Sequence, residues 1–170
     1  MKKLLIVVDM QNDFIDGSLG TKEAQSIVPK VAEKIREYKA RGNDVVFTLD
    51  THFEDYLDTL EGKKLPVPHC IKGTSGWNLQ KDIDAFEGKR FEKITFGCLA
   101  CADFAAGEGY ESVELVGLCT DICVISNALL VKAAMPYTPI LVDSSCCAGV
   151  TPESHENALA AMKMCQIEVI

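Results

Sequence analysis

Cys123 stands where a chain prepares a nucleophile. The apolar run Val113-Glu114-Leu115-Val116-Gly117-Leu118 reads as a strand, and the polar pair Thr120-Asp121 then starts a long apolar helix. The thiol is therefore expected in the first helical turn, beyond the carboxyl end of a strand. Backbone N–H groups there lack intrahelical partners and the helix dipole favours an anion, so a thiol in that setting tends toward the thiolate. Lowering a cysteine pKa by two units takes about 2.7 kcal/mol, of which a helix start supplies roughly 1–2 kcal/mol. An ammonium can supply the rest and a carboxylate can receive the proton. Lys93, in Phe91-Glu92-Lys93-Ile94, and Asp9, which ends the run Leu4-Leu5-Ile6-Val7-Val8, fit those roles. Taken singly, Asp9 reads as a turn cap and Lys93 as a solvated charge. Three such groups at one sheet edge point to attack on a carbonyl.

Asp50-Thr51-His52 is a second constellation. Residues two apart in extended chain point to one side, so a carboxylate and an imidazole there can share a ligand. His69 returns at the far end of the polar loop 51–77. Mixed His/Asp ligation suits zinc, iron or manganese; the alternative is a set of polar loop residues. His155, in the first turn of the last helix, reads as a packed or capping histidine. Cys98-Leu99-Ala100-Cys101 is formally C-x-x-C but has no second pair at ribbon spacing, which argues against a zinc ribbon.

The elements that must position these groups alternate. Residues 3–9 form a near-continuous apolar strand, and Ile27, Val31, Ile35 and Tyr38 recur at helical spacing until Arg41-Gly42. Residues 44–50, 90–94, 113–118, 139–143 and 167–170 read as further strands. Helices are expected over 98–106 and 122–134, with a last one opened by Thr151-Pro152-Glu153. This alternation predicts an α/β fold, a doubly wound, mostly parallel six-stranded sheet with helices on both faces. Residues 1–170 read as one domain. In such sheets ligands bind outside the carboxyl ends of the strands, where Asp9, Asp50, Lys93 and the 118–123 turn would gather.

Composition bounds the partners. Hydrophobic residues are 48% and charged residues 25% of 170, the balance of a soluble globular protein. Seventeen basic against 25 acidic residues give a net charge of −8, with basic residues adjacent only in pairs such as Lys63-Lys64 and Lys89-Arg90, so nucleic acid is not an expected partner. No apolar run reaches 18 residues and no signal segment is evident, so no membrane partner is expected. Of the eight cysteines, Cys119, Cys123, Cys146 and Cys147 sit in or beside apolar strand and helix segments, which reads as free thiols in a reducing cytoplasm. The helix 122–134 is apolar on nearly all sides, which predicts burial all round, with a second subunit covering the face turned from the sheet.

Over nearly its whole length the chain resembles the isochorismatase-like cysteine hydrolase superfamily, and within it the nicotinamidase group. The resemblance is carried by the opening Leu4-Leu5-Ile6-Val7-Val8-Asp9-Met10-Gln11-Asn12-Asp13-Phe14, by Asp50-Thr51-His52 and by Pro68-His69-Cys70-Ile71-Lys72-Gly73-Thr74. It continues through Glu92-Lys93-Ile94-Thr95-Phe96-Gly97 and Gly117-Leu118-Cys119-Thr120-Asp121-Ile122-Cys123-Val124. It implies a catalytic triad of Asp9, Lys93 and Cys123, and a non-proline cis peptide at Leu118–Cys119. That turn would aim the N–H groups of Cys119 and Cys123 at a developing oxyanion. It further implies a metal held by Asp50, His52 and His69, zinc first and iron or manganese otherwise, with Glu61 as the further ligand and Asp58 second. Phe14 corresponds to an aromatic on the pocket wall. The implied activity is hydrolysis of nicotinamide or a similar small amide to the acid and ammonia, through a thioester, by a homo-oligomer. True isochorismatases lack the nucleophilic cysteine and the metal residues, which disfavours vinyl-ether hydrolysis. Pro66 stands where an aromatic often precedes the metal histidine, removing one stacking partner for a pyridine ring. The alternatives are a metal-independent hydrolase of another C–N substrate such as an N-carbamoyl compound, and a thiol redox or binding protein using Cys98/Cys101 or Cys119/Cys123.

Overall fold

A computed structural model describes residues 2–170. Along the chain run β1 (Leu4–Val8), α1 (Asn12–Ile15), α2 (Lys22–Ala40), β2 (Asp44–Asp50), a 3-10 turn (Tyr56–Asp58), α3 (Leu60–Lys64), α4 (Lys81–Asp84) and β3 (Lys89–Lys93). There follow α5 (Leu99–Glu108), β4 (Val113–Leu118), a π turn (Thr120–Val124), α6 (Ile125–Ala134), β5 (Ile140–Ala148), α7 (Pro152–Met164) and β6 (Glu168–Val169).

The six strands form one sheet in the order β3-β2-β1-β4-β5-β6, every neighbouring pair parallel. The predicted doubly wound sheet is therefore present, and it is wholly rather than mostly parallel. β1 lies inside it with all five residues fully buried, because its two faces feed two cores. Leu4, Ile6 and Val8 pack with residues of α5, α6 and α7, while Leu5 and Val7 pack with α2 and α4. That is the period of two, read on a strand covered on both sides.

Strand order reverses at β1: the chain runs outward through β2 and β3, then returns to β4 on the other side. A crevice opens at the carboxyl ends beside such a reversal. Gly117 permits the close approach there. Its φ is +118°, and a Cβ at that position would lie 2.1 Å from the Val8 carbonyl oxygen. α7 opens as expected, with the Thr151 hydroxyl accepting from Ser154 N–H and the Ser154 hydroxyl accepting from Thr151 N–H.

Several boundaries differ from the sequence pattern. β5 runs to Ala148 and carries a bulge, its register jumping from Leu115↔Val142 to Gly117↔Cys147. β6 is only two residues long, and β3 begins and ends one residue early. The 51–77 loop is not featureless; it contains the 3-10 turn and α3, pinned by Tyr56, whose hydroxyl donates to the Leu65 carbonyl (2.8 Å). α6 is not enclosed all round. Asn127, Ala128 and Val131 face the core, whereas Leu129 is 38% exposed. Among the described residues no helix is long and apolar enough to cross a membrane.

Candidate active site

The ends of β1, β3 and the turn after β4 bring Asp9, Lys93 and Cys123 together. Asp9 leaves β1 with φ 48°, in the left-handed region that a side chain rarely adopts. This turns its carboxylate back across the strand ends: Oδ1 accepts from the Thr48 hydroxyl (2.6 Å), and Oδ2 lies 2.7 Å from Lys93 Nζ. The same Nζ donates to the Thr95 carbonyl (3.0 Å), lies 3.3 Å from Asp50 Oδ1 and sits 3.4 Å from Cys123 Sγ. Asp9 is fully buried, and Lys93 and Cys123 are each 5% exposed.

Charge in so dry a place is governed by its partners. Burial alone would discharge Lys93, but Asp9 and Asp50 beside it raise its pKa, so the ammonium persists. Asp9 is raised above the usual carboxylate value by burial, against the pull of Lys93. Burial, then the Asp9 charge, pushes the Cys123 thiol well above its ordinary value, with Lys93 opposing. Burial thus opposes the pull toward the thiolate expected of a helix start. The single ammonium is already balanced by two carboxylates, so the resting thiol keeps its proton and needs a base. The local backbone differs too. Thr120–Val124 is a π turn, and α6 begins only at Ile125, so Cys123 lies in a widened turn rather than an α-helical one. The Leu118–Cys119 peptide is cis.

Asp50 joins this group to a second one. While Oδ1 faces Lys93, Oδ2 stands 3.0 Å from His52 Nε2 and 3.5 Å from His69 Nε2. Glu61 Oε1 completes the set at 3.5 Å and 3.6 Å from the same two nitrogens. All four ligand atoms lie within 4.8 Å of one another. Ligands about 2.0–2.2 Å from a zinc ion stand about 3.4 Å apart in a tetrahedron, so the donors present fit a divalent metal in type and spacing. His69 is oriented for the cluster: its Nδ1 donates to the Val67 carbonyl (2.8 Å), which turns Nε2 toward Asp50 and Glu61. Glu61 comes from α3, inside the loop; Asp58 is not in the cluster. Tyr56 packs its ring against both imidazoles, with centroids 4.7 and 5.1 Å away.

A cavity of about 220 Å³ opens over Cys123, with Asp50, Glu61 and His69 on one side and Cys119 and Leu118 beside the thiol. Phe14, Leu19, Leu65, Phe96 and Val150 make its wall strongly apolar, and among the described residues no lysine or arginine lines it. A site of this size has room for a small molecule over the thiol, with the metal-type donors alongside.

An Isochorismatase domain profile matches residues 3–170. The chain belongs to the isochorismatase domain family. It is 27% identical to the nicotinamidase/pyrazinamidase of Mycobacterium tuberculosis over 99% of this chain and 98% of that protein. Its fold is similar to that of a pyrazinamidase of Pyrococcus horikoshii solved in complex with zinc, with TM-score 0.81, 29% identity and coverage of 100% and 99% of the two chains. An N-carbamoylsarcosine amidase from Thermoplasma acidophilum is also similar, with TM-score 0.78, 26% identity and coverage of 99% and 95%.

Sequence reasoning passed over several residues that hold this isochorismatase-fold site in shape. Gln11 is fully buried and grips Asp50 from behind, its Oε1 accepting Asp50 N–H (2.7 Å) and its Nε2 donating to the Asp50 carbonyl (2.8 Å). Thr48, one strand over from Asp9, is likewise fully buried. A buried glutamine directly after a strand-end acid is a readable signal, because its amide must find partners. His155 takes the packing role expected of it: Nδ1 lies 2.7 Å from the Thr120 hydroxyl, beside the π turn and away from the His52/His69 cluster. Of the thiols in the redox reading, burial pushes Cys101 and Cys119 up to about 12 and raises Cys98 as well.

Proposed function

We propose that this protein is a cysteine amidohydrolase that converts nicotinamide, or a similar small uncharged amide, to the carboxylic acid and ammonia. One observation carries the reading: a thiol that lines an apolar cavity lies 3.4 Å from a buried ammonium, which is itself 2.7 Å from a carboxylate. In this reading Asp9 takes the Cys123 proton as Sγ attacks the amide carbon, and Lys93 holds the developing thiolate beside the carboxylate. The N–H groups of Cys119 and Cys123 receive the oxyanion, each worth roughly 2.7–4 kcal/mol by analogy with other hydrolases. The C–N bond breaks as Asp9 returns the proton to nitrogen, ammonia leaves, and the acyl group remains on Sγ as a thioester. Asp9 then takes a proton from water, whose oxygen attacks the thioester, and returns it to the departing sulfur. Phe14 packs against the substrate body. Asp50, His52, Glu61 and His69 hold a divalent metal, zinc first and iron or manganese otherwise; when bound it supplies a Lewis acid for a substrate donor atom and for water.

Ammonia release from nicotinamide is the test. Wild type with metal supplied should turn over and Cys123→Ala should not; silence across a panel of small neutral amides overturns the reading. A second reading, metal-independent hydrolysis of an N-carbamoyl compound, is favoured by the likeness to the Thermoplasma amidase. A carboxylate-bearing substrate would meet no cation on the cavity wall, so the neutral amide is preferred. Full activity after chelation would favour the second reading. A homo-oligomer covering the outer side of α6 belongs to the same proposal, and light scattering of the purified protein tests it.

A further inference from the structure

Asn127 lies one turn after Cys123, 1% exposed, with its side-chain amide fully engaged. Nδ2 donates to the Cys123 carbonyl (2.8 Å) and to the Phe96 carbonyl (3.1 Å), and Oδ1 accepts the N–H of Cys98 (2.9 Å). The first bond stays within the nucleophile's own helical run. The other two cross to the segment 94–98, which leaves β3 immediately after Lys93.

That segment is the seat of the lysine. The Thr95 carbonyl accepts from Lys93 Nζ, and Phe96 forms part of the cavity wall. β3 is an edge strand, paired only with β2, so the sheet holds Lys93 from one side. The segment lies close against α6: a Cβ on Gly97 would come 2.5 Å from Leu130 Cδ1. One buried amide thus links the nucleophile's backbone to the backbone that aims its ammonium. A residue such as alanine would leave the Cys98 N–H and the Phe96 carbonyl without this partner, and a buried unpaired group of that kind costs enough to move a short segment.

We propose that Asn127 is a positioning residue which fastens the 94–98 segment to the nucleophile's helix and thereby sets Lys93 Nζ against Cys123 Sγ. The inference rests on Cys123 being the nucleophile.

The test compares wild type with Asn127→Ala and Asn127→Ser in the full-length, metal-supplied protein. A serine hydroxyl on a helix reaches the carbonyl four residues back but cannot span to Phe96 and Cys98, so it keeps the bond to Cys123 and loses the bridge. Two readouts are taken: steady-state nicotinamide hydrolysis, and iodoacetamide alkylation of Cys123 by mass spectrometry at fixed pH, with exposed Cys165 as internal reference. Both variants should lose at least tenfold in kcat with KM within about threefold, and should alkylate Cys123 at least tenfold more slowly relative to Cys165. Circular dichroism should stay unchanged for serine; if alanine fails to fold, serine decides. Serine within threefold of wild type in both readouts overturns the proposal. A loss shared equally by every cysteine, or one accompanied by general unfolding of the serine variant, also overturns it, because the role would then be structural. If complete alkylation of wild-type Cys123 leaves ammonia release intact, the nucleophile reading fails instead.

Discussion

Among the described residues two lysines sit between two carboxylates, and only one of them stands beside a thiol that lines a cavity. Lys34 of α2 lies 2.8 Å from Glu114 on β4 and 2.7 Å from Asp143 on β5, with the Tyr38 hydroxyl donating to Glu114. Lys93 lies 2.7 Å from Asp9 and 3.3 Å from Asp50. The charge arithmetic is the same: one cation, two anions and large pKa displacements. The difference is what stands beside the cation. Lys34 joins a helix to the sheet and retains some solvent. Lys93 is drier and touches the Cys123 thiol, which itself lines an apolar cavity with a set of metal-binding donors beside it. A perturbed buried ion cluster is therefore not by itself a sign of chemistry; an unspent nucleophile and room for a substrate are.

That contrast can be broken in order of expected effect. Cys123→Ala should remove amide hydrolysis by about 10⁴-fold or more, while Lys34→Met leaves kcat/KM within about threefold in the same ammonia assay. Lys93→Met should lower kcat by about 10²–10³-fold, since it removes the charge that holds the thiolate but leaves the base. Loss of His69 should weaken metal retention about 10–100-fold or more, read by elemental analysis after dialysis, with no such change in Lys34→Met.

The stability effects run the other way. Glu114→Gln should cost up to about 3 kcal/mol in denaturant unfolding, the low end for a broken buried pair because Lys34 is partly solvated. The acid limbs separate the clusters as well. Burial would raise Asp143, but Lys34 and Ser145 outweigh it and hold it below the usual carboxylate value. Its contribution is thus present above the unfolded value of about 3.9 and lost as pH falls through the lower folded value. Lys34→Met should flatten that part of the stability profile. Asp9 is raised, so kcat/KM should fall on acidification at a pH above the ordinary aspartate value, and Lys34→Met should leave that limb where it is.

How legible each cluster was follows from how it is encoded. Asp9, Asp50, Lys93 and Cys123 each fall at or just past a strand end, and strand ends are visible as breaks in apolar runs. His52 and His69 were readable because they frame a polar loop. The Lys34 cluster was not readable, because a lysine on an amphipathic helix looks solvated until Glu114 and Asp143 are known to lie beneath it. Asn127 was hidden in a helix that read as apolar on all sides. Glu61 could be ranked above Asp58 only through resemblance, and its approach to the histidines depends on how α3 packs within the loop.

The sequence by itself determined the alternation of strands and helices, and hence a parallel sheet whose carboxyl ends gather the acids, the lysine and the thiol. Periodicity and breaks are local properties of the chain, so they survive without coordinates. Only the tertiary structure decided the state of those groups. The thiol whose ionisation a helix start would favour is instead pushed toward its protonated form, because burial and the neighbouring carboxylates set its electrostatics. Which lysine lies against the cavity's thiol was decided there too, since solvent exclusion and neighbouring charge depend on residues far apart in the chain.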